Sequence, residues 1–397
     1  MTFRMTRLTG FCLAVLCCLT PCIAGAEPRV PTNASEVLER LPMRPGDTTA
    51  RDLAGLRAEV ANAAKQSPPD PSPAARLAQR YFDLAMAKGD PRYVGYADAV
   101  VKPFANVQLA PLLTVRGQLL QYRHIFDEAL QAFDAALQID PQFASAHAWR
   151  GAIFLVQAKY PSAIGECDAL HKLGRAVLSG GCTGLVNAYT GQLAQAEATL
   201  QRALQLTLDA DSQLWLLTRL GEVAAWRGQT AQAEQFFHKA LALGLDDGYL
   251  LAAWGDFLLD QKRPAEVVKW LAKWDSSDGL LLRLALAETQ LKLPTASAHV
   301  QALNDRFAAA KLRGDTTHRA EEARFYLQLR DDAKQALVLA AANYQVQREP
   351  RDARVLLEAA LAAQDGAPAQ PARDWLASSG FEDKHLRQLG AATAATP

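Results

Sequence analysis

Cys167, His171 and Cys182 come closest in this chain to a set of side chains that could perform chemistry. The two cysteines stand fifteen positions apart, and His171 follows Cys167 by one helical turn. Their spacing allows three interpretations: a disulfide, a pair of buried thiols, or a metal site with two sulfur ligands and one imidazole. No fourth metal ligand can be named. Because the pair is isolated, a disulfide between Cys167 and Cys182 is the favoured interpretation for an exported chain.

No catalytic motif accompanies these residues. The chain lacks a GxxxxGK[ST] phosphate loop, an HExxH zinc helix, a GxSxG nucleophile elbow and a CxxC redox pair. The glycine cluster Gly180–Gly184 (GGCTG) has no strand before it and no lysine after it, and no base is found for Cys182. The sequence therefore predicts a protein that is not an enzyme and that carries no catalytic residue, metal or cofactor.

The elements that position these residues follow a repeating pattern of glycines. Gly117, Gly151, Gly184, Gly221 and Gly255 are separated by 34, 33, 37 and 34 residues, a period typical of helical hairpins. A small or slender side chain comes twelve residues after each glycine, and apolar side chains follow four and seven residues later. The small positions are Ala129, Ala163, Ala196, Ala233 and Val267; the apolar ones are Phe133, Cys167, Leu200, Phe237 and Leu271, then Ala136, Leu170, Ala203, Ala240 and Trp274. This spacing predicts close approach of two helices in each hairpin, with one apolar stripe along the second.

Two segments, Leu112–Pro141 and Thr218–Gly244, resemble the tetratricopeptide repeat (TPR) in these landmark positions. The resemblance covers about residues 110–278, in five hairpins. The final proline is missing after the third and fourth repeats, and Cys167 stands where the family has an aromatic residue. The resemblance implies an all-α, right-handed superhelical solenoid of TPR hairpins with a concave groove that binds protein or peptide segments.

The register of the family also implies which first-helix side chains face that groove. They are Gln118, Gln121, Tyr122, Tyr189, Trp215, Arg219, Glu222, Trp226, Tyr249, Asp256 and Asp260. Flat aromatic side chains among acids suit an extended or helical peptide with apolar anchors and a basic residue. Each aromatic residue has the alternative of packing against the next helix. A small-molecule ligand is not expected.

The predicted organisation along the chain has five parts. They are a signal peptide at 1–26, N-terminal capping helices and a proline-rich loop at 27–70, a TPR array at 71–278 with clear repeats at 110–278, divergent TPR-like helices at 279–363, and C-terminal capping helices with a tail at 364–397. Within the last part, the tail GAATAATP is expected to be mobile.

Composition and the N-terminus limit the compartment and the partners. The chain of 397 residues is half hydrophobic and balances 42 Lys+Arg against 42 Asp+Glu, which argues against a disordered tail and against a nucleic-acid partner. Arg4 and Arg7 precede a short apolar stretch at 11–19, and Ala24-Gly25-Ala26 forms a small-x-small cleavage site. We expect cleavage after Ala26, no integral membrane segment afterwards, and a periplasmic location. An uncleaved anchor or a lipoprotein is the less favoured alternative.

Three functions are compatible with these features. The first is an exported, non-enzymatic TPR scaffold or adaptor that binds protein or peptide segments in its groove. The second is a periplasmic TPR component of an exopolysaccharide-export or other envelope assembly machine. The third is a metal-binding or hydrolytic protein built on helical repeats, which the missing site disfavours.

Overall fold

The computed structural model describes residues 46–396. The predicted signal peptide, its cleavage site and the first capping helix lie outside the described residues. The chain divides into two units, residues 1–51 and 52–397. Of the first unit, the structure describes residues 46–51, which include the start of helix α1; all features below belong to the second unit.

Helices account for all of the regular secondary structure in residues 46–396, where no strand occurs. The α-helices are α1 (Thr48–Ala63), α2 (Ser72–Lys88), α3 (Arg92–Val101), α4 (Ala110–Tyr122), α5 (Phe126–Ile139), α6 (Ala144–Val156), α7 (Tyr160–Lys172), α8 (Ala176–Tyr189), α9 (Leu193–Gln205), α10 (Ala210–Trp226), α11 (Thr230–Leu241), α12 (Gly248–Asp260), α13 (Pro264–Leu271), α14 (Asp278–Leu291), α15 (Ala296–Leu312), α16 (Arg319–Leu329), α17 (Ala333–Tyr344), α18 (Pro350–Ala363), α19 (Gln370–Ser379) and α20 (Lys384–Ala394). Short 3-10 turns occur at Lys102–Phe104 and Ala367–Ala369. Successive helices pack against each other as hairpins, so the predicted all-α solenoid is confirmed.

At the landmark glycines Gly117, Gly184 and Gly221, the second helix of the hairpin leaves no room for a side chain. A methyl group built on Gly221 would lie 2.8 Å from Cε1 of Phe237, and one built on Gly117 would lie 2.7 Å from Cζ of Phe133. These distances are shorter than van der Waals contact, so only glycine fits against the aromatic ring. The small positions twelve residues after the glycines are fully buried, as predicted.

A left-handed residue closes each of the five hairpins, seven positions after the landmark glycine. The φ angles are positive at His124, Ala158, Gly191, Gly228 and Lys262. The next residue donates its N–H to a carbonyl five positions earlier, as Ile125 does to Leu120 at 3.0 Å. This bond satisfies a carbonyl that the end of the first helix leaves without a partner.

Two details of the sequence-based interpretation are wrong. Helix α13 ends at Leu271, so Trp274 lies in the following turn and not on the apolar stripe of a second helix. The tail GAATAATP is not a free end: α20 continues to Ala394, and Thr393 is completely buried and donates its hydroxyl to the Gly390 carbonyl at 2.9 Å.

The C-terminal helices pack back onto earlier hairpins. The backbone N–H of Arg348 donates to the carbonyl of Val156 at 2.7 Å, and that of Leu193 donates to the Glu382 carboxylate at 2.9 Å. One continuous hydrophobic core accordingly extends from Leu155 to Leu386. Between residues 46 and 396, no helix has the length and apolarity needed to cross a membrane.

Candidate functional site

The eleven side chains predicted to face the groove lie on the first helices α4, α8, α10 and α12. We call the surface formed by these helices the first-helix face. The structure divides its members into three groups: residues packed within the solenoid, residues of a central polar cluster, and residues that contact the C-terminal helices.

Side chains on α4, together with Trp215 on α10, pack within the solenoid. Gln118 is buried, and its Oε1 atom and that of Gln121 make no hydrogen bond. Tyr122 packs against the core of α2–α4, and burial raises its pKa to about 12. The ring of Trp215 lies against Gly181, where a Cβ atom would overlap with it. For the aromatic residues Tyr122 and Trp215, the structure shows the alternative of packing against neighbouring helices.

A polar cluster joins α10 to α12 at the centre of the face. The Arg219 guanidinium stacks 4.1 Å from the centre of the Tyr249 ring and pairs with Glu222 at 2.9 Å. The hydroxyl of Tyr249 donates to Glu222 at 2.7 Å. Burial raises the pKa of Tyr249 and keeps its hydroxyl a neutral donor.

Helix α18 adds charges to the edge of this cluster. Arg351 lies 5.9 Å from the Tyr249 ring and pairs with Glu349 at 2.9 Å, while the Tyr189 hydroxyl donates to Glu349 at 3.3 Å. Burial raises the pKa of Tyr189 well above its ordinary value. The polar groups of this cluster and the Tyr189 hydroxyl therefore have partners from the same chain.

The two aspartates of α12 bind arginines from later helices. Asp256 accepts hydrogen bonds from Arg283 at 2.5 Å and from Arg324 at 2.8 Å. Asp260, one turn further along, accepts two hydrogen bonds of 2.7 Å from Arg354. The acidic residues thus recognise guanidinium groups presented on helices.

Aromatic residues of the face, together with Tyr160 at the start of α7, lie beside the C-terminal region of the chain. The Trp226 ring lies 6.0 Å from the Tyr189 ring and 5.3 Å from the Phe381 ring. The indole of Trp375 donates a hydrogen bond to the hydroxyl of Tyr160 at 2.7 Å. Sequence reasoning missed Phe381 and Trp375, because no repeat landmark connects them to residues so much earlier in the chain.

The predicted pairing of Cys167 with Cys182 is present. Their sulfur atoms are 1.99 Å apart, and the bond joins α7 to α8, the second helix of one hairpin and the first helix of the next. Both residues are buried, and a Cβ atom built on Gly151 would lie 3.6 Å from the Cys182 sulfur. No set of three His, Cys, Asp or Glu side chains within residues 46–396 is arranged to hold a metal ion.

A cleft remains open where the ends of α4 and α6 meet the connection between α17 and α18. It has a volume of about 480 Å³, and its lining includes His124, Phe126, Gln157, Val346 and Arg348. Burial lowers the pKa of His124 to about 4, so its imidazole is neutral at pH 7. The cleft combines apolar and charged side chains without an arrangement of nucleophile and base.

Comparisons with known proteins return solved structures only. No protein-family model and no curated protein sequence matches the chain. The chain is similar to the APC/C hetero-tetramer Cut9–Hcn1, with 12% identity and a TM-score of 0.48 over 87% of this chain and 73% of that one. It is also similar to the human IFIT1 dimer with m7Gppp-AAAA, with 15% identity and a TM-score of 0.47 over 87% and 86% of the two chains. The P58(IPK) TPR domain has 14% identity and a TM-score of 0.21 over 80% and 94%. The hairpin packing described above, and not these likenesses, establishes the fold.

Proposed function

We propose that this chain is an exported, non-enzymatic scaffold of TPR-like hairpins that binds a protein segment on its first-helix face. The observation that carries the proposal is the contact between Asp260 and Arg354. The Asp260 carboxylate accepts two parallel hydrogen bonds of 2.7 Å from the Arg354 guanidinium of a separate helix. This geometry contributes specificity as well as binding energy.

Neighbouring contacts support the same kind of partner. Asp256 binds Arg324 of α16, and Trp226 packs against Phe381. Arginines and aromatic rings are the side chains that contribute most to protein–protein binding. The face therefore has the chemistry to recognise a helical protein segment with basic and aromatic side chains.

Part of this surface remains accessible to such a segment. The side chain of Asp260 keeps 44% of its surface exposed beside Arg354. The disulfide between Cys167 and Cys182 is consistent with folding in an oxidising compartment.

Site-specific photo-crosslinking in intact cells tests the proposal. A photoreactive amino acid replaces Asp260 on the first-helix face, and a matched variant carries it at Gln235, an exposed position on the second helix α11. We expect a discrete protein adduct from position 260 that is absent from position 235. The same adducts from both positions, or none from position 260, would contradict binding at this face.

A further inference from the structure

The chain's C-terminus fills an aromatic socket on the solenoid. We define the aromatic socket as Tyr160, Tyr189 and Trp226, whose rings follow one another at centroid distances of 6.5 and 6.0 Å. Tyr160 is the first residue of α7, whereas Tyr189 and Trp226 end α8 and α10. Each of the three therefore lies beside the turn that connects the helices of a hairpin.

Two aromatic side chains from the α19–α20 region occupy the aromatic socket. Phe381 is completely buried, with its ring 5.3 Å from Trp226 and 5.3 Å from Trp375. Trp375 donates its indole N–H to the Tyr160 hydroxyl at 2.7 Å, which satisfies both polar groups inside an aromatic environment. We call residues 375–382 the plug.

The plug also makes polar and steric contacts with the start of α9. The Glu382 carboxylate accepts the N–H of Leu193, the first residue of α9, at 2.9 Å. Gln192, which precedes this helix, provides no side-chain cap, so an acid from a distant segment satisfies the free N–H group. A methyl group on Gly191 would lie 2.5 Å from the Gly380 carbonyl oxygen, so the backbones themselves fit closely.

The mode of attachment resembles the docking of a peptide more than the packing of a repeat. The plug contributes two spaced aromatic anchors and one acid that binds a backbone N–H, which is how short segments are recognised at interfaces. Helix α18 ends in a left-handed residue, Gln364, and a short connection through Gly366 leads to α19.

From these contacts we infer that the aromatic socket is a docking site for a segment of another protein, and that the plug competes with this segment for the socket. The segment has two aromatic residues about six positions apart and an acidic residue directly after the second. This inference rests on the proposed function, because Tyr189 and Trp226 belong to the first-helix face, and it specifies the partner of that site. Because the plug is tethered, its effective concentration at the aromatic socket is high. The apparent affinity of a partner is therefore its intrinsic affinity multiplied by the fraction of chains whose socket is free.

Binding of a plug peptide to the full chain tests the inference. The probe is a fluorescent peptide with the sequence of residues 370–388, and binding is measured by anisotropy against the wild-type chain, Phe381→Ala and Phe381→Leu. Loss of the ring weakens the chain's own plug, so Phe381→Ala is expected to bind the peptide at least tenfold more tightly than the wild-type chain, with Phe381→Leu between them. Equal affinities for all three chains would overturn the inference.

Further variants show where the peptide binds and guard against misfolding. The double variant Phe381→Ala/Trp226→Ala should lose the gain in peptide affinity. A gain that persists would show that the peptide does not bind at the aromatic socket. If Phe381→Ala lacks the wild-type helical circular dichroism, Glu382→Ala decides instead. It removes only the contact with Leu193, so a gain of a few-fold in peptide affinity supports the inference and no gain overturns it. If the Phe381→Ala chain forms dimers by exchanging plugs, the aromatic socket binds a second copy of this chain. That result would overturn the inference that the socket binds a different protein.

Failure of this inference can be distinguished from failure of the proposed function. If peptide affinity does not depend on Phe381 and Trp226 but position 260 gives a specific adduct, the inference about the aromatic socket fails. The proposed scaffold function then still stands. A plug peptide that binds as expected, without any adduct from position 260, supports the competition at the socket and removes the wider assignment of the first-helix face.

Discussion

The carboxylate of Asp352 accepts a hydrogen bond from the backbone N–H of Glu349, 3.1 Å away, while Glu349 caps the same end of α18 in return. Asp352 also accepts a hydrogen bond from the Asn343 side chain at 3.0 Å, and it is almost fully buried. Within residues 46–396 no salt bridge reaches Asp352; the adjacent Arg351 pairs with Glu349, although its charge acts to lower the pKa of Asp352. Burial, together with the neighbouring Glu349 carboxylate, raises the pKa of Asp352 to about 7.

This raised pKa predicts a pH-dependent stability. The folded chain holds the proton of Asp352 more tightly than the unfolded chain. The stability that this proton gives to the folded chain is therefore complete below pH 4 and is lost as the pH rises through 7. Asp352→Asn removes the titration. Relative to wild type, the variant should gain on the order of 2 kcal/mol in free energy of unfolding between pH 5 and pH 8.

Urea denaturation at both pH values measures this change. Asp127→Asn, at an exposed position in the first turn of α5, serves as the control and should show no comparable trend. A constant difference between wild type and Asp352→Asn from pH 5 to pH 8 would show that Asp352 does not titrate in this range.

Two helical glycines should respond in opposite ways to alanine. Gly221 faces the Phe237 ring, where an added methyl group would lie 2.8 Å from Cε1, whereas Gly165 in α7 has open space at that position. We expect Gly221→Ala to lower the free energy of unfolding by about 1–3 kcal/mol through overpacking. Gly165→Ala should raise it by roughly 0.5–1 kcal/mol, because alanine favours the helix. Thermal denaturation of both variants decides, and equal shifts would contradict the close approach.

The hairpins could be predicted from sequence because their contacts are local and recur. The side chain that packs on Gly221 comes sixteen positions later, and the same offset returns at Gly117 with Phe133. The turns were harder to recognise. The left-handed residue that closes a hairpin is a glycine at 191 and 228, but His124, Ala158 and Lys262 adopt the same conformation without a glycine signal.

The candidate site was predictable only in part, because its other half comes from remote segments. The register indicated Trp226 and Asp260 as members of the face, but it gave no sign of their partners Phe381 and Arg354. The second of these contacts spans 94 residues, and no repeat relates its two ends. A single sequence records such a contact only as one arginine among many on an amphipathic helix.

The disulfide predicts that Cys167 and Cys182 carry no free thiol. Labelling of the unreduced, denatured protein should find no free thiol at Cys167 and Cys182, and reduction should expose both. Replacing both cysteines with alanine should cost about 3 kcal/mol of stability, since the cross-link restricts the unfolded chain. Two free thiols before reduction would contradict the bond.

The proposed export of the chain predicts a defined N-terminus. Cleavage after Ala26 would make Glu27 the first residue of the mature protein. Intact-mass measurement of protein purified from the periplasmic fraction of a Gram-negative host should give this mass. A chain that retains residues 1–26, or one with a lipid on an N-terminal cysteine, would replace the prediction with one of its two alternatives.

The two aspartates of α12 should differ in their contribution to stability. Asp256 faces both Arg283, whose side chain is only 8% exposed, and Arg324, whereas Asp260 meets the more exposed Arg354. Asp256→Asn leaves two cations without their shared anion, so we expect a loss of about 2–3 kcal/mol at pH 7. Asp260→Asn should cost under about 1 kcal/mol, as is usual for a surface ion pair.

The pH dependence separates charge from packing at Asp256. Burial alone would raise the pKa of Asp256, but Arg283 and Arg324 hold it below its ordinary value. Its stabilising contribution is therefore present above the unfolded pKa near 4 and declines as the pH falls. The loss caused by Asp256→Asn should shrink by about 1 kcal/mol between pH 7 and pH 3 in urea denaturation. If the loss in free energy of unfolding is the same at both pH values, or equals the loss caused by Asp260→Asn, the packing of the Asp256 side chain and not its charge determines its contribution to stability.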